Sequence, residues 1–98
     1  MGKIGQAVEA LAQVVARLRG PGGCPWDRAQ THLTLMPYLL EEAYELAQAL
    51  QDGAPNKIQE ELGDLLLQVV LHAQLAAEQG HFDLAQVADQ IREKLVRR

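Results

Sequence analysis

One segment near the middle of the chain would be apolar around almost its whole circumference if it formed a helix. On a helical wheel, the apolar side chains of residues 61–73 cover most of the circle: Leu62, Leu65, Leu66, Leu67, Val69, Val70, Leu71 and Ala73. The polar exceptions fall in one narrow stripe made by Glu61, Asp64, Gln68 and His72. Because an ordinary surface helix has an apolar arc only slightly wider than about 100°, this helix must be covered on several sides.

The residues before this segment predict two helices joined by a long connection. A first apolar face is followed by the glycine- and proline-rich stretch GPGG at residues 20–23, which cannot continue a helix. A second helix is expected to have Thr34 as its N-cap and Pro37 in its first turn, and to end near Leu50, before Asp52-Gly53. The apolar face of the first helix consists of Ile4, Val8, Leu11, Val15 and Leu18.

The apolar segment belongs to a third predicted helix, and a fourth follows it. The third helix should begin at Pro55 and run to Gln79, with Gly80 ending it. Asp83 and Gln86 have the spacing of a capping box at the start of the fourth helix. No segment has a convincing strand pattern, so the sequence predicts an all-α fold of about four helices in a single domain spanning residues 1–98.

Three neighbouring helices of this size can hardly cover the third helix, and this predicts a second subunit. We expect a homodimer, or a higher homo-oligomer, in which helices two and three of both subunits form a four-helix bundle. Val69, Val70 and Leu71 or their neighbours would contact the partner. Gly63 costs about 1 kcal/mol relative to alanine inside a helix, and either a close approach of another group to its backbone or a tight helix crossing would explain it.

Composition excludes several classes of protein. The chain has 98 residues and a formal net charge of -4, which disfavours binding to the nucleic acid backbone. The single Cys24 excludes an internal disulfide and favours a reducing compartment. Neither a targeting segment nor an apolar run of the roughly 18 residues needed for a membrane span is present. The expectation is a soluble cytoplasmic protein that does not bind membranes.

Two acidic pairs occur on the second and third predicted helices. Glu42 and Glu45 are three residues apart, as are Glu61 and Asp64, so the like charges of each pair share a helix face and repel. Two interpretations stay open at this point. The carboxylates are either solvated surface charges or ligands that converge on Mg²⁺ or Mn²⁺, which prefer oxygen donors. A di-iron bundle is disfavoured because it needs Glu-x-x-His motifs.

The acidic segments also resemble a known family. EEAYE and the later EELGD match the E-E-x-x-E…E-x-x-D signature of the MazG-type all-α nucleoside triphosphate pyrophosphohydrolases, and the preceding GGCPWDRAQTH is similar to the corresponding stretch of that family. The resemblance implies Mg²⁺-dependent hydrolysis of a nucleoside triphosphate to the monophosphate and pyrophosphate. It implies that the metal ligands, which are also catalytic, are Glu42, Glu45, Glu61 and Asp64. The oxygen donors make Mn²⁺ a possible substitute.

Further residues are candidates for such a site on chemical grounds, each with a simpler alternative, and the basic ones also fit basic positions of the family's site. Glu41 is a candidate base or supporting catalytic residue, but it also suits an exposed position. Lys57 is a candidate phosphate-binding cation, and so are Lys94 and Arg98, which are expected four residues apart on one face of the fourth helix. The alternative for Lys57 is an ion pair with Glu61, and for the other two a solvated helix end. Trp26 either stacks on a nucleobase or anchors the loop.

The function expected from sequence is a nucleotide-pool housekeeping enzyme of this family. A related pyrophosphohydrolase acting on dUTP, dCTP or phosphoribosyl-ATP is the nearest alternative. A helical domain that binds a protein partner without catalysis is the alternative from another class, although the complete set of four carboxylates disfavours it.

Overall fold

The computed structural model describes residues 2–98 and shows α-helices without strands in that range. The five helices are α1 (Lys3–Arg19), α2 (Pro25–Ala29), α3 (His32–Asp52), α4 (Pro55–Glu78) and α5 (Leu84–Val96). The predicted all-α class and the four long helices are confirmed, and the short α2 is additional. None of the helices in residues 2–98 combines the length and hydropathy that crossing a membrane requires.

The helices form two compact units. The first unit contains the residues up to Ala29 together with Val70–Arg98, and the second contains Gln30–Val69. The long helix α4 therefore contributes its C-terminal part to the first unit and its N-terminal part to the second.

In the first unit, a tight turn follows α1. The Cys24 amide donates to the Leu18 carbonyl at 2.9 Å. A Cβ atom at Gly23 would collide with the carbonyl oxygens of Arg17 and Leu18, so only glycine fits at this point. The Arg19 guanidinium donates twice to the Glu78 carboxylate, each time at 2.9 Å, and thus joins the end of α1 to the end of α4.

The connection after α1 is more ordered than the sequence predicts, because it contains helix α2. Pro25 stands at the first helical position, where its fixed φ angle is favourable and its missing N–H costs nothing. The Arg28 amide donates to the Cys24 carbonyl at 3.0 Å. Trp26 therefore lies on a short helix and not in an irregular loop, and 51% of its surface is exposed.

Helix α3 begins earlier than predicted, and this changes the environment of Pro37. Thr31 is the N-cap: its side chain accepts from the Thr34 amide at 3.2 Å, and the Thr34 hydroxyl accepts from the Thr31 amide at 2.8 Å. Thr34 is thus the third residue of the helix and not its cap. Pro37 consequently lies inside α3 and not in its first turn, so the Leu33 carbonyl has no proline N–H to accept from.

A two-residue connection joins α3 to α4 in the second unit. Gly53 ends α3 in the left-handed conformation with φ +83°, and its amide donates to the Ala49 carbonyl at 2.9 Å. Pro55 opens α4, as predicted. So short a connection turns the chain back on itself and makes an antiparallel helical hairpin. The hairpin brings the acidic segments of α3 and α4 together.

The predicted capping box at the start of α5 is confirmed. The Asp83 carboxylate accepts from the Gln86 amide at 2.9 Å, and the Gln86 side-chain oxygen accepts from the Asp83 amide at the same distance. The end of the helix differs from the prediction. Because α5 ends at Val96, Arg98 lies beyond the helix, and it does not share a helical face with Lys94.

The apolar surface of α4 is buried in one half and exposed in the other. In the first unit Val70 and Leu71 are buried, so the expectation that these two residues need a partner for their burial is wrong. In the second unit both helices carry exposed apolar side chains, which together are called the exposed apolar surface of this unit. Its residues are Leu33, Met36, Leu40 and Tyr44 on α3 with Leu62, Leu66 and Val69 on α4.

Candidate functional site

Four carboxylates from α3 and α4 meet within the second unit. One oxygen atom of each side chain lies within 4.8 Å of the others, and the four residues are Glu42, Glu45, Glu61 and Asp64. Helical spacing explains the arrangement, because residues three apart lie on the same face of a helix. The hairpin then turns the acidic face of α3 towards that of α4.

The carboxylates of this acidic cluster differ in exposure. Glu61 is buried, with 3% of its surface exposed, whereas Glu42 and Asp64 are half-buried and Glu45 is exposed. One oxygen of Glu42 and one of Glu61 are buried without a hydrogen-bond partner among residues 2–98. Buried charged oxygens are normally paired or bound to a metal, since removing them from water is costly. Glu61 and part of Glu42 are thus removed from water, unlike fully solvated surface charges.

The electrostatics of the acidic cluster favour the uptake of positive charge. Burial, followed by the charge of Glu45 and then those of the α4 carboxylates, raises the pKa of Glu42 above its ordinary value of 4.5. The charge of Glu61 and the partial loss of solvent raise the pKa of Glu45 above the same value. Protons bind more readily to such a cluster, and a divalent cation would relieve the same repulsion.

Lys57 lies beside the acidic cluster and makes two ion pairs on its own helix. Its Nζ atom is 3.0 Å from the Glu60 carboxylate and 3.1 Å from Glu61 Oε1. Hydrogen bonds to Glu60 and Glu61 raise the pKa of Lys57, which keeps it charged. The expected ion pair with Glu61 is present. The same position also places a cation at the edge of the carboxylates.

A shallow cavity of about 220 Å³ opens next to the acidic cluster. Its floor and walls come from both helices of the hairpin: Glu45, Gln48, Ala49, Asp52, Lys57 and Glu61. Gln48 Nε2 donates to Asp52 Oδ1 at 3.1 Å on the α3 side. The cavity thus combines negative charge, one lysine and polar groups, a combination suited to a metal-bound phosphate compound and poorly suited to an apolar ligand.

The remaining predicted site residues occupy different surroundings. Glu41 is exposed, but its charge contributes to the raised pKa of both Glu42 and Glu45, so it lies within electrostatic reach of the cluster. Trp26 and Lys94, like Arg98, belong to the first unit. All three are exposed there, with Lys94 in the last turn of α5.

No site role was predicted from the sequence for two residues that line the cavity, or for a third residue that is buried on the same face of α4 as Glu61 and Asp64. Gln48 and Asp52 line the cavity. Their positions three and seven residues after Glu45 could have predicted that they share its helix face. Gln68 is buried in the polar stripe that already contained Glu61 and Asp64. Its membership of that stripe was the available signal.

The donor set fits a hard divalent cation. All candidate ligand atoms are carboxylate oxygens, which Mg²⁺ and Mn²⁺ prefer, whereas zinc and iron sites usually include histidine or cysteine. The two buried oxygens without partners fit the same ion. Glu42, Glu45, Glu61 and Asp64 are the residues that could hold it.

The chain is similar to several curated proteins over most or all of its length. It is 49% identical over 98 residues to the nucleoside triphosphate pyrophosphohydrolase/pyrophosphatase MazG of Thermotoga maritima, an alignment covering 100% of this chain and 38% of that protein. It is 46% identical over 92 residues to a nucleoside triphosphate pyrophosphohydrolase of Escherichia coli K12, covering 93% and 35% of the two chains. A nucleoside triphosphate pyrophosphohydrolase of Mycobacterium tuberculosis is 47% identical over 95 residues, covering 92% and 29%.

The chain thus spans about a third of the length of these relatives. Residues 30–98 also match the family described as the MazG nucleotide pyrophosphohydrolase domain, a match that includes all of α3, α4 and α5. All four carboxylates of the acidic cluster lie inside the matched range. The chain belongs to the MazG nucleotide pyrophosphohydrolase domain family.

Proposed function

We propose that this protein hydrolyses a nucleoside triphosphate to the monophosphate and pyrophosphate, using Mg²⁺, or Mn²⁺ in its place, bound by the acidic cluster. The observation that carries the proposal is the cluster itself, in which four carboxylates lie within 4.8 Å and two of their oxygens are buried without partners among residues 2–98. Family membership and the printed names of the relatives support the choice of substrate class.

The proposed division of labour follows from the charges around the cavity. Glu42, Glu45, Glu61 and Asp64 bind the cation, which when bound neutralises the triphosphate and lowers the pKa of a coordinated water. Lys57 contributes a point charge for a phosphate oxygen, and its partner Glu60 holds it near the cavity in the free protein. Glu41 is proposed as a base or supporting residue on the strength of its electrostatic reach.

The roles of the residues in the first unit are also proposals. Lys94 and Arg98 would bind phosphate, and Trp26 would stack on the nucleobase. All three are exposed, so their side chains are accessible to a ligand. We place the protein in the cytoplasm, in nucleotide-pool housekeeping, as a single functional domain.

A panel assay tests the substrate class. The protein is incubated with the common ribo- and deoxyribonucleoside triphosphates and phosphoribosyl-ATP in Mg²⁺, and pyrophosphate is measured for each. Turnover of several triphosphates supports the proposal. Turnover of dUTP, dCTP or phosphoribosyl-ATP alone would instead assign the protein to a narrower relative within the same superfamily. Turnover of none would contradict the proposed catalysis and favour a partner-binding helical domain.

We further propose that the exposed apolar surface of the second unit binds a second copy of this chain. Leu62, Leu66 and Val69 form a stripe along α4 at helical spacing, and each is at least 40% exposed. Exposed apolar side chains that share one helix face commonly mark an interface. Gly63 lies beside the stripe, and a Cβ added to it would meet no atom of residues 2–98 within 4 Å other than those of its chain neighbours and the adjacent backbone of α4. The space next to its backbone is therefore open to a helix of the partner.

A further inference from the structure

Gln68 is a buried polar residue that none of the roles above uses. Only 7% of its surface is exposed, and its side-chain oxygen Oε1 is buried without a hydrogen-bond partner among residues 2–98. A buried acceptor without a donor is destabilising, so it calls for an explanation such as a bound water, an ion or a catalytic role. The residue lies in the second unit, as does the acidic cluster.

Helix geometry favours a direction of this side chain towards the acidic cluster. Gln68 follows Asp64 by four residues and Glu61 by seven, so the three share one face of α4. Long side chains on a helix lean towards its N-terminus, over the preceding turn. This preference would place the Gln68 amide over the turn that contains Asp64.

The chemistry of the amide oxygen restricts what it binds there. It is a neutral acceptor, so it requires a donor, and the neighbouring carboxylates are acceptors when ionised. Mg²⁺ usually keeps several of its waters when it binds to protein carboxylates, and the hydrogens of those waters point away from the ion. A buried amide oxygen one turn from a ligand is suited to accept from such a water, as residues around metal ligands commonly do.

We propose that Gln68 is a positioning residue of the metal centre, with Oε1 accepting a hydrogen bond from a water molecule coordinated to the cation. The inference deepens the proposed function and rests on its metal site. Gln68 orients the coordinated water, whereas the four carboxylates bind the ion itself.

The test compares three variants on α4 by two measurements that need no nucleotide. Gln68→Met keeps the approximate shape of the side chain and removes the acceptor. Gln68→Glu keeps an acceptor and adds a charge. Gln59→Met is the matched control, because Gln59 is exposed on the same helix. Mn²⁺ affinity is measured by electron paramagnetic resonance titration, and thermal unfolding is measured in EDTA.

Gln68→Met should bind Mn²⁺ about 10- to 100-fold more weakly than the parent, as expected for loss of a partner outside the ligand set. In EDTA it should melt at the same temperature as the parent or higher, because an unpaired buried acceptor has been replaced by an apolar group. Gln68→Glu should melt lower in EDTA and retain Mn²⁺ binding at least as tight as the parent. Gln59→Met should match the parent in both measurements.

A positioning role also predicts a particular kinetic pattern. The Mg²⁺ concentration for half-maximal rate should rise in Gln68→Met, whereas kcat at saturating Mg²⁺ should fall much less. A variant that melts lower in EDTA but binds Mn²⁺ normally would show a structural role and overturn the inference. Normal Mn²⁺ binding with weakened binding of a non-hydrolysable nucleotide would also overturn it, because Gln68 would then face the nucleotide. Failure of the parent itself to bind Mn²⁺ would contradict the proposed metal site, and the inference with it.

Discussion

A bound cation would stabilise Glu42 and Glu61 more than the other carboxylates of the cluster. Each has a buried carboxylate oxygen without a hydrogen-bond partner among residues 2–98, and both belong to a cluster of four like charges. Lys57 offsets part of the charge of Glu61 through its contact with Oε1 at 3.1 Å, but that contact leaves Oε2 unpaired. A cation would stabilise exposed carboxylates much less, since water molecules already form hydrogen bonds with them.

The first prediction concerns Glu61→Gln, which preserves shape and removes one charge. In EDTA the variant should melt at the same temperature as the parent or higher, because repulsion within the cluster is relieved and Lys57 keeps its pair with Glu60. Excess Mg²⁺ should stabilise the parent by mass action, by about 2.7 kcal/mol at a hundredfold excess over the dissociation constant. Glu61→Gln should lose most of that gain in differential scanning calorimetry.

The matched control for this experiment is Glu60→Gln. Glu60 is exposed on the same helix and lies outside the acidic cluster, so its variant should keep the Mg²⁺-dependent gain. If Mg²⁺ shifts the melting of Glu61→Gln as much as that of the parent, the carboxylate of Glu61 is not a ligand.

The second prediction concerns pH in the absence of metal. The pKa values of Glu42 and Glu45 are raised in the folded protein, so the folded state binds protons more readily than the unfolded chain above pH 4.5. The free energy of unfolding in EDTA should therefore increase as pH falls from neutrality towards 4.5. Urea unfolding at a series of pH values measures this increase, and the double variant Glu42→Gln/Glu45→Gln should abolish most of it.

Glu78 provides an internal contrast with the opposite sign. Its hydrogen bonds with Arg19 lower the pKa of this carboxylate below 4.5, so its stabilising contribution is present above pH 4.5 and is lost as pH falls through the lowered value. The two effects occupy different pH ranges and are separable. A parent protein that loses stability throughout the fall from pH 7 to 4.5 would contradict the electrostatic account of the cluster.

At the scale of secondary structure, the N-cap of α3 was predicted at Thr34 but lies at Thr31. A capping box is recognised most easily as Ser or Thr followed three residues later by Glu or Gln. In α3 the fourth residue of the box is Thr34, whose hydroxyl replaces the usual carboxylate or amide. Because Thr34 is neither Glu nor Gln, the pair Thr31 and Thr34 does not match the usual capping-box pattern, and Thr34 itself was predicted as the cap. Helix α2 was missed for another reason, since five residues are too few to show helical periodicity.

The third prediction tests the reassigned cap. Thr31→Ala removes the acceptor for the Thr34 amide and should lower the free energy of unfolding by about 1 kcal/mol. Thr31→Ser keeps the hydroxyl and should stay close to the parent. Chemical denaturation of the three proteins measures the difference. Equal stability of Thr31→Ala and the parent would mean that the first turn of α3 does not depend on this cap.

At the scale of the whole molecule, the helical periodicity predicted the class of fold and the spacing of the acidic residues predicted the cluster. The acidic pairs on α3 and α4 converge because the connection between the helices is short: Gly53 ends α3 and Pro55 begins α4. Both residues were predicted from the sequence as helix boundaries. Burial was less predictable. A helical wheel shows that α4 is apolar all round, but it does not show that α4 divides between two units. Val70 and Leu71 are consequently buried within one chain, whereas Leu62 and Leu66 are not.

The fourth prediction is that the chain self-associates through the apolar surface of the second unit. Light scattering at micromolar concentration should give at least twice the monomer mass of 10.8 kDa. Leu66→Lys places a charge in the centre of the α4 stripe and should shift the population towards monomer. Val96→Lys is the matched control, because Val96 is exposed at the end of α5 in the other unit. A parent protein that is monomeric at these concentrations would contradict the proposed interface.

The identity of the phosphate product tests the central claim most directly. In ³¹P nuclear magnetic resonance spectra recorded during the reaction, the parent protein in Mg²⁺ should convert a nucleoside triphosphate to the monophosphate and pyrophosphate in equal amounts. EDTA should stop the conversion, and Glu61→Gln should reduce it by at least about a hundredfold, as expected when a metal ligand is removed. Orthophosphate as the primary product, or an unchanged rate in EDTA or in Glu61→Gln, would contradict a metal-dependent pyrophosphohydrolase built on this cluster of carboxylates.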